Sequence, residues 1–279
     1  MPELPEVETI VAELRPHLVG RQILAAEVLW PRTLAAPDRT SFVDRLQGGR
    51  IADLSRRGKY LLFRLDSGGS LIIHLRMTGR LEIVPGDSPL RAGPHVRAWF
   101  DLSGGECLVF TDARKFGRIW LAHDSGEVLG ALGPEPFDWE FDAARLAGRI
   151  RKRRVAVKTL LLDQTMMAGI GNIYADEALH LAGIHPLRPG ASLSDAEIER
   201  LHTAIRQVLT EAIGQHGTTL RDYRPPYSPE GAYHNELRVY RQTGLPCPRC
   251  GTPIQRIRVA QRSTHFCPRC QPNPTTSTA

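Results

Sequence analysis

Four of the chain's five cysteines stand as Cys247-Pro-Arg-Cys250 and Cys267-Pro-Arg-Cys270, two close pairs separated by sixteen residues. In a reducing compartment such pairs argue for metal rather than disulfides. Four thiolates can surround one Zn²⁺ ion tetrahedrally, and the stretch between the pairs is long enough for a hairpin. An all-thiolate shell leaves no coordination position for water, so the ion is expected to be structural and catalysis to need no metal. The fifth cysteine, Cys107, lies in the apolar run Glu106–Phe110 and reads as a buried core thiol.

The chain opens Met1-Pro2-Glu3. Methionine before a small residue is the kind of start normally trimmed, which would leave a secondary amine in first place. A model α-amine has a pKa of about 7.7–8.0 and lysine about 10.4, so roughly one terminal amine in seven is neutral at pH 7, against about one lysine in 2,500. That difference amounts to about 3.5 kcal/mol in nucleophile availability. A secondary amine attacking an aldehyde-level carbon forms an iminium ion, which acidifies the adjacent C–H and permits elimination. Glu3 could donate or relay a proton at the same centre. By themselves two such residues specify no reaction.

Three further features suit a polyanion. Arg149–Lys158 holds six basic residues in ten and no acid. Arg262, between Gln261 and Ser263, would present a guanidinium on a metal-pinned turn, suited to bidentate phosphate contact. Gly169-Ile170-Gly171-Asn172 falls between two helical patterns and resembles a helix-turn-helix turn, where backbone N–H groups and Asn172 could hold a phosphate. A solvated basic face and a purely structural turn are the competing readings.

The elements that must position these groups follow from composition and periodicity. The 279 residues carry 36 Lys+Arg against 30 Asp+Glu, a net charge of +6, with 42% apolar and 24% charged residues. That balance excludes a disordered or fibrous chain and allows two domains with cores. No apolar run is long enough to span a bilayer, and the acidic, proline-bearing start lacks the layout of a signal peptide; a cytoplasmic protein with no membrane partner is expected. Val7, Ile10, Val11, Leu14 and Leu18 follow helical spacing, which Gly20 is expected to end. From Ile23 to Leu132 the texture is strand-like, with runs such as YLLFRL, SLIIHL, RLEIV and CLVFTD between glycine turns and no helical spacers. Beyond the Pro- and acid-rich segment 133–142 the period turns helical, with a capping box at Ser194–Glu197 opening a helix whose apolar face carries Ile198, Leu201, Ile205, Val208 and Leu209. The fold class is therefore α+β: one helix and an antiparallel β-sandwich, then helices, then the cysteine hairpin.

The motifs MPELPEVET, RRGKYLLF (56–63), HLRMTG (74–79), TDARKFG (111–117), GIGNIYADEAL (169–179) and QRSTHFCPRC (261–270) occur in this order. Over essentially residues 2–271 the chain resembles bacterial formamidopyrimidine-DNA glycosylases of the Fpg/endonuclease VIII family, which remove oxidised purines from DNA and nick the abasic site. The resemblance implies a catalytic β-sandwich domain over 2–133, a linker over 134–142, a helix-two-turn-helix domain over 143–234, a zinc finger over 235–271 and a disordered tail over 272–279. It implies that Pro2, freed of Met1, attacks C1′ and holds the sugar as a Schiff base. Glu3 would be the acid that assists sugar opening, Lys59 the proton donor in β-elimination and Arg262 the donor in δ-elimination. Met77, Arg114 and Phe116 match the side chains that fill the void left by a flipped base. His74, His95, Arg153 and Asn172 complete the implied DNA contacts. The implied partner is double-stranded DNA containing 8-oxoguanine, formamidopyrimidines or abasic sites, and the implied state is a monomer.

Two stretches depart from the family pattern. Gly93-Pro94-His95 stands where His-Asp-His is usual, so the first histidine's contact is missing or replaced, and Pro225-Pro226 should stiffen the stretch 217–233 that aligns with a lesion-capping loop. The rival readings are an endonuclease VIII-like glycosylase for oxidised pyrimidines and a non-catalytic zinc-ribbon DNA-binding protein.

Overall fold

The computed structural model describes residues 1–219, 223–227 and 230–273. The chain divides into two compact units, Met1–Ala131 with His216–Ala232, and Leu132–Gln215 with the residues from Tyr233 on.

The first unit opens with α1 (Leu4–Leu18), and Pro5 in its first turn needs no intrahelical donor. The stripe Val7, Ile10, Val11, Leu14 and Leu18 is buried throughout. The helix ends at Val19, and Gly20 follows in the left-handed region at φ +87°. Nine strands follow: β1 (Ile23–Val28), β2 (Leu34–Ala36), β3 (Ile51–Arg57), β4 (Tyr60–Leu65), β5 (Ser70–His74), β6 (Gly79–Pro85), β7 (Val96–Leu102), β8 (Glu106–Asp112) and β9 (Arg118–Ala122). They form a four-stranded sheet in the order β1-β7-β8-β6 and a five-stranded sheet in the order β2-β9-β5-β4-β3. Leu54, Leu61, Phe63, Leu71, Ile73, Phe100, Leu108 and Phe110 form one core with the α1 stripe, each burial contributing about 1.5–3 kcal/mol. The sandwich is antiparallel except for β2, which runs parallel to β9.

A helical spacer interrupts the strands, contrary to the sequence reading: α2 (Arg39–Leu46). Asp38 caps it by accepting the Ser41 N–H at 3.1 Å, and Phe42 and Leu46, one turn apart, are fully buried. A single turn of apolar spacing among strand-like runs is too short to register as a helical period. A short helix, α3 (Gly126–Leu129), closes the N-terminal stretch. Cys107 is buried in a satellite cluster with Val84, Val96 and Val109, and burial pushes its thiol up to about 11.

The second unit comprises α4 (Ala143–Ile150), α5 (Val157–Leu162), α6 (Asn172–Ala182), α7 (Asp195–Gly214) and the hairpin β10 (Gln255–Val259)–β11 (Arg262–Phe266). The Ser194–Glu197 box is present, and all five expected apolar positions of α7 are buried. The segment expected as a linker is fastened to this unit: the Gly133 N–H donates to the Gln164 carbonyl at 2.8 Å, and Ala168 donates to Pro134 at 2.9 Å. The stretch His216–Ala232 falls in sequence within the expected 143–234 domain, yet it packs with the first unit. Residues 274–279 of the expected tail lie outside the described residues.

Candidate active site

Pro2 and Glu3 do not form a loose arm. Pro2 is buried although Met1 before it is exposed, and Glu3, at the cap of α1, is 3% exposed. The Glu3 N–H donates to Glu6 Oε2 at 2.7 Å, so the start of the chain is anchored by its own first helical turn.

Lys59 sits in the tight β3–β4 turn, which Gly58 enters at φ +57°. Tyr60 pairs with His74 across β4 and β5, and their rings meet edge-on at 4.6 Å. His74 is buried, and its Nδ1 accepts the Arg76 N–H at 3.0 Å. Burial, then the charges of Arg76 and Lys59, push the imidazole down to about 3, so the ring is neutral. Only its Nε2–H remains as a donor.

Met77, Arg114 and Phe116 lie on two loops held by one residue, Asp112, which is fully buried at the end of β8. Its Oδ1 accepts the Arg114 N–H at 3.1 Å and the Thr78 hydroxyl, while its Oδ2 accepts the Gly117 N–H at 2.7 Å. The Arg97 guanidinium donates to the Asp112 carbonyl at 2.7 Å, and the Asp112 N–H donates to the carbonyl of His95 at 2.8 Å. Gly117 has no room for a side chain: a Cβ there would stand 2.4 Å from Phe110 Cζ. The result is an exposed Phe116 with the Arg114 guanidinium 4.9 Å above its ring, while Met77, on the other loop that Asp112 holds, is half-exposed and His95 is exposed. Such a cluster suits a space vacated by a base. Asp112 was passed over in the sequence; its only local signal is an acid that ends a strand before a charged turn.

In the second unit, Gly169–Gly171 is braced by Gln164, whose Oε1 accepts the Gly169 N–H at 3.1 Å and whose Nε2 donates to the Ile170 carbonyl at 2.8 Å. Asn172 opens α6 and donates through Nδ2 to the Ser263 carbonyl at 2.9 Å. Arg262 is exposed at the start of β11, after a two-residue turn in which Ala260 (φ +46°) and Gln261 (φ +60°) are both left-handed. The six-residue basic cluster needs one correction. Arg149, Arg151, Lys152, Arg153 and Arg154 are exposed, but Lys158 is fully buried against Asp176, 2.5 Å from Oδ1. Lys158 also donates to the Thr264 hydroxyl at 2.8 Å, and Asp176 Oδ2 accepts the His265 N–H at 2.9 Å. This pair fixes the hairpin rather than facing a polyanion.

The four cysteine sulfurs lie within 4.8 Å of one another. Tetrahedral Zn–S bonds of about 2.3 Å imply sulfur–sulfur separations of about 3.8 Å. The Cys247–Cys270 and Cys250–Cys267 pairs, at 3.9 and 3.5 Å, bracket that value, so the donor set fits one structural Zn²⁺. His180 Nε2 lies 3.4 Å from the Cys247 sulfur, the place of an outer-shell partner.

Comparison with known proteins accounts for this arrangement. Residues 1–119 match the formamidopyrimidine-DNA glycosylase N-terminal domain, 132–224 the formamidopyrimidine-DNA glycosylase H2TH domain, and 244–273 the zinc finger found in FPG and IleRS. A formamidopyrimidine-DNA glycosylase of Chloroflexus aggregans is 50% identical over 97% of this chain and 98% of its own length. That of Symbiobacterium thermophilum is 48% identical over 98% of this chain and 90% of its own length. A Lactococcus lactis Fpg variant in complex with Fapy-dG-containing DNA superposes with a TM-score of 0.91 at 39% identity, covering 98% of this chain and 100% of that one. The Lactococcus lactis Fpg bound to abasic-site DNA gives 0.90 at 39% identity, over 97% and 100%. With its helix-bearing β-sandwich, helical domain and four-cysteine hairpin, the chain belongs to the formamidopyrimidine-DNA glycosylase family of base-excision repair enzymes.

Proposed function

We propose that this enzyme excises oxidised purines, chiefly 8-oxoguanine and ring-opened formamidopyrimidines, from double-stranded DNA and cleaves the abasic strand by β,δ-elimination. Pro2, after loss of Met1, attacks C1′: the N–C1′ bond forms, the base leaves, and the opened sugar is held as a Schiff base. Glu3 delivers the proton that opens the sugar ring. Loss of the acidified C2′ proton expels the 3′ phosphate, with Lys59 as proton donor, and a second elimination expels the 5′ phosphate, with Arg262 as donor. Met77, Arg114 and Phe116 occupy the space of the flipped base, and His74, His95, Arg153 and Asn172 contact the strand. The sandwich over 2–133 carries the nucleophile, and the helical domain and the zinc finger grip the duplex. The working location is the cytoplasm, on the nucleoid, as a monomer.

The observation that carries this reading is the N-terminus itself: Pro2 and Glu3 are buried and the Glu3 N–H is held by Glu6, an arrangement that a binding module does not need. The joint presence of Met77, Arg114 and Phe116 favours purine over pyrimidine lesions. Borohydride trapping on a duplex with 8-oxoguanine opposite cytosine tests the assignment. The adduct is expected on a peptide that begins at Pro2, and Glu3→Gln is expected to bind this duplex without excising the base. A zinc-loaded protein that binds the duplex yet gives no adduct sinks the reading, and a thymine glycol duplex then separates the pyrimidine enzyme from a binding protein.

A further inference from the structure

The stretch His216–Ala232 is seated on α1 through that helix's acids. Glu6 is 1% exposed, and its two oxygens serve different segments: Oε2 accepts the Glu3 N–H at 2.7 Å, and Oε1 accepts the Thr218 N–H at 2.8 Å. Two turns further on, Glu13 Oε2 accepts the Tyr227 N–H at 2.8 Å, and the Tyr227 ring lies 4.6 Å from that of His17. The base of the stretch is closed by the Thr218–Ala232 bridge, with the Gly231 N–H donating to Thr219 Oγ1 at 2.9 Å. Tyr223 packs into the sandwich core and donates its hydroxyl to the His216 carbonyl at 3.2 Å.

Two glycines make this approach possible. Gly217 is left-handed at φ +79°, and a Cβ there would stand 2.8 Å from Glu6 Oε1. A Cβ at Gly231 would stand 2.5 Å from the carbonyl oxygens of both His216 and Gly217. The backbone thus approaches the carboxylate more closely than a side chain at 217 would allow, and two N–H groups from opposite ends of the unit's sequence meet on one carboxylate.

We propose that Glu6 is a positioning residue that links the Pro2–Glu3 terminus to the base of the 217–232 stretch, so that a change at Thr218 moves the nucleophile even when no damaged base is present. This rests on the Schiff-base reading above. A duplex with a preformed abasic site separates the possibilities, because it offers no base for that stretch to hold. Thr218→Pro removes the N–H that Oε1 accepts. Glu6→Gln keeps one acceptor oxygen and turns an NH2 donor toward one of the two N–H groups.

At saturating abasic duplex, each variant is expected to lower the borohydride trapping rate on the order of tenfold with little change in duplex affinity. The double variant should be no slower than the slower single one, as for a shared link. Gly217→Ala, which drives a Cβ against Glu6, should act in the same direction. Glu13→Gln loosens the stretch only at Tyr227 and should trap at the wild-type rate. The proposal is overturned if Thr218→Pro and Gly217→Ala trap abasic DNA as fast as wild type, or if the Glu6 and Thr218 effects multiply in the double variant. Failure of the Schiff-base reading shows separately, as a wild-type protein that yields no adduct.

Discussion

At His74, burial decides which form of the ring exists. The group titrates near 3 instead of its ordinary 6.5, first because it is desolvated and then because Arg76 and Lys59 repel a second positive charge. Protonation at Nδ1 would also break the bond from the Arg76 N–H. Because the folded-state value is depressed, the neutral ring's contribution is complete above about pH 6.5 and is lost as pH falls toward 3, since the unfolded chain takes up the proton first. By pH 5 this amounts to about 2 kcal/mol. His74→Gln keeps an acceptor for the Arg76 N–H and cannot titrate, so its melting temperature should fall less between pH 7 and pH 4.5 than that of wild type. Parallel melting curves across that range would count against a neutral His74. Asp112 illustrates the opposite case of a residue whose chemistry is ordinary and whose placement matters. Its carboxylate fixes the turns that carry Met77, Arg114 and Phe116, through the Thr78 hydroxyl and the Arg114 and Gly117 N–H groups.

Among the elements, the hairpin β10–β11 depends most on others. Its tip is a turn of two left-handed non-glycine residues, a conformation that persists only when its surroundings over-determine it. The cysteine set fixes it at one end, and Lys158 and Asp176 hold Ser263, Thr264 and His265 in its second strand. A buried ion pair is costly to break from one side, because the remaining charge is stranded. Lys158→Met should therefore destabilise the protein by about 3–5 kcal/mol, seen in thermal unfolding, and should lower the yield of δ-elimination relative to β-elimination products. Replacing both partners, as Lys158→Met with Asp176→Leu, should recover most of the stability. A single variant that melts with wild type would remove the pair from this role. The sequence makes the neighbours of this network plain and hides the network itself. The α1 stripe, the Ser194 capping box and the CxxC pairs are local patterns and stand in the structure as read. Glu6, Asp112 and Asp176 each bind one partner, Thr218, Thr78 and His265, that lies 212, 34 and 89 residues away, and no periodicity announces such a pairing. The helix α2 was missed for another reason, since two apolar residues one turn apart do not make a period.

For the molecule as a whole, the net charge of +6 is too small to explain DNA binding by its sum, and its distribution carries the argument. Five exposed cations cluster within Arg149–Arg154, and Arg262 stands at the hairpin tip. Each phosphate neutralised contributes about −0.9 to the slope of log K against log salt. Arg262→Ala should therefore weaken binding to an abasic duplex and reduce the slope by about 0.9, read from anisotropy titrations at several salt concentrations. An unchanged slope would exclude a phosphate contact at that position. The division of the chain has a further consequence during synthesis. The first unit is not complete when residue 131 leaves the ribosome, because its last piece is His216–Ala232. At about 5–20 residues per second that piece follows roughly 5–20 s later, with the whole helical domain made in between. Until then the Thr218 N–H that Glu6 accepts in the finished protein does not yet exist, so the first unit is completed only after most of the second unit has been translated.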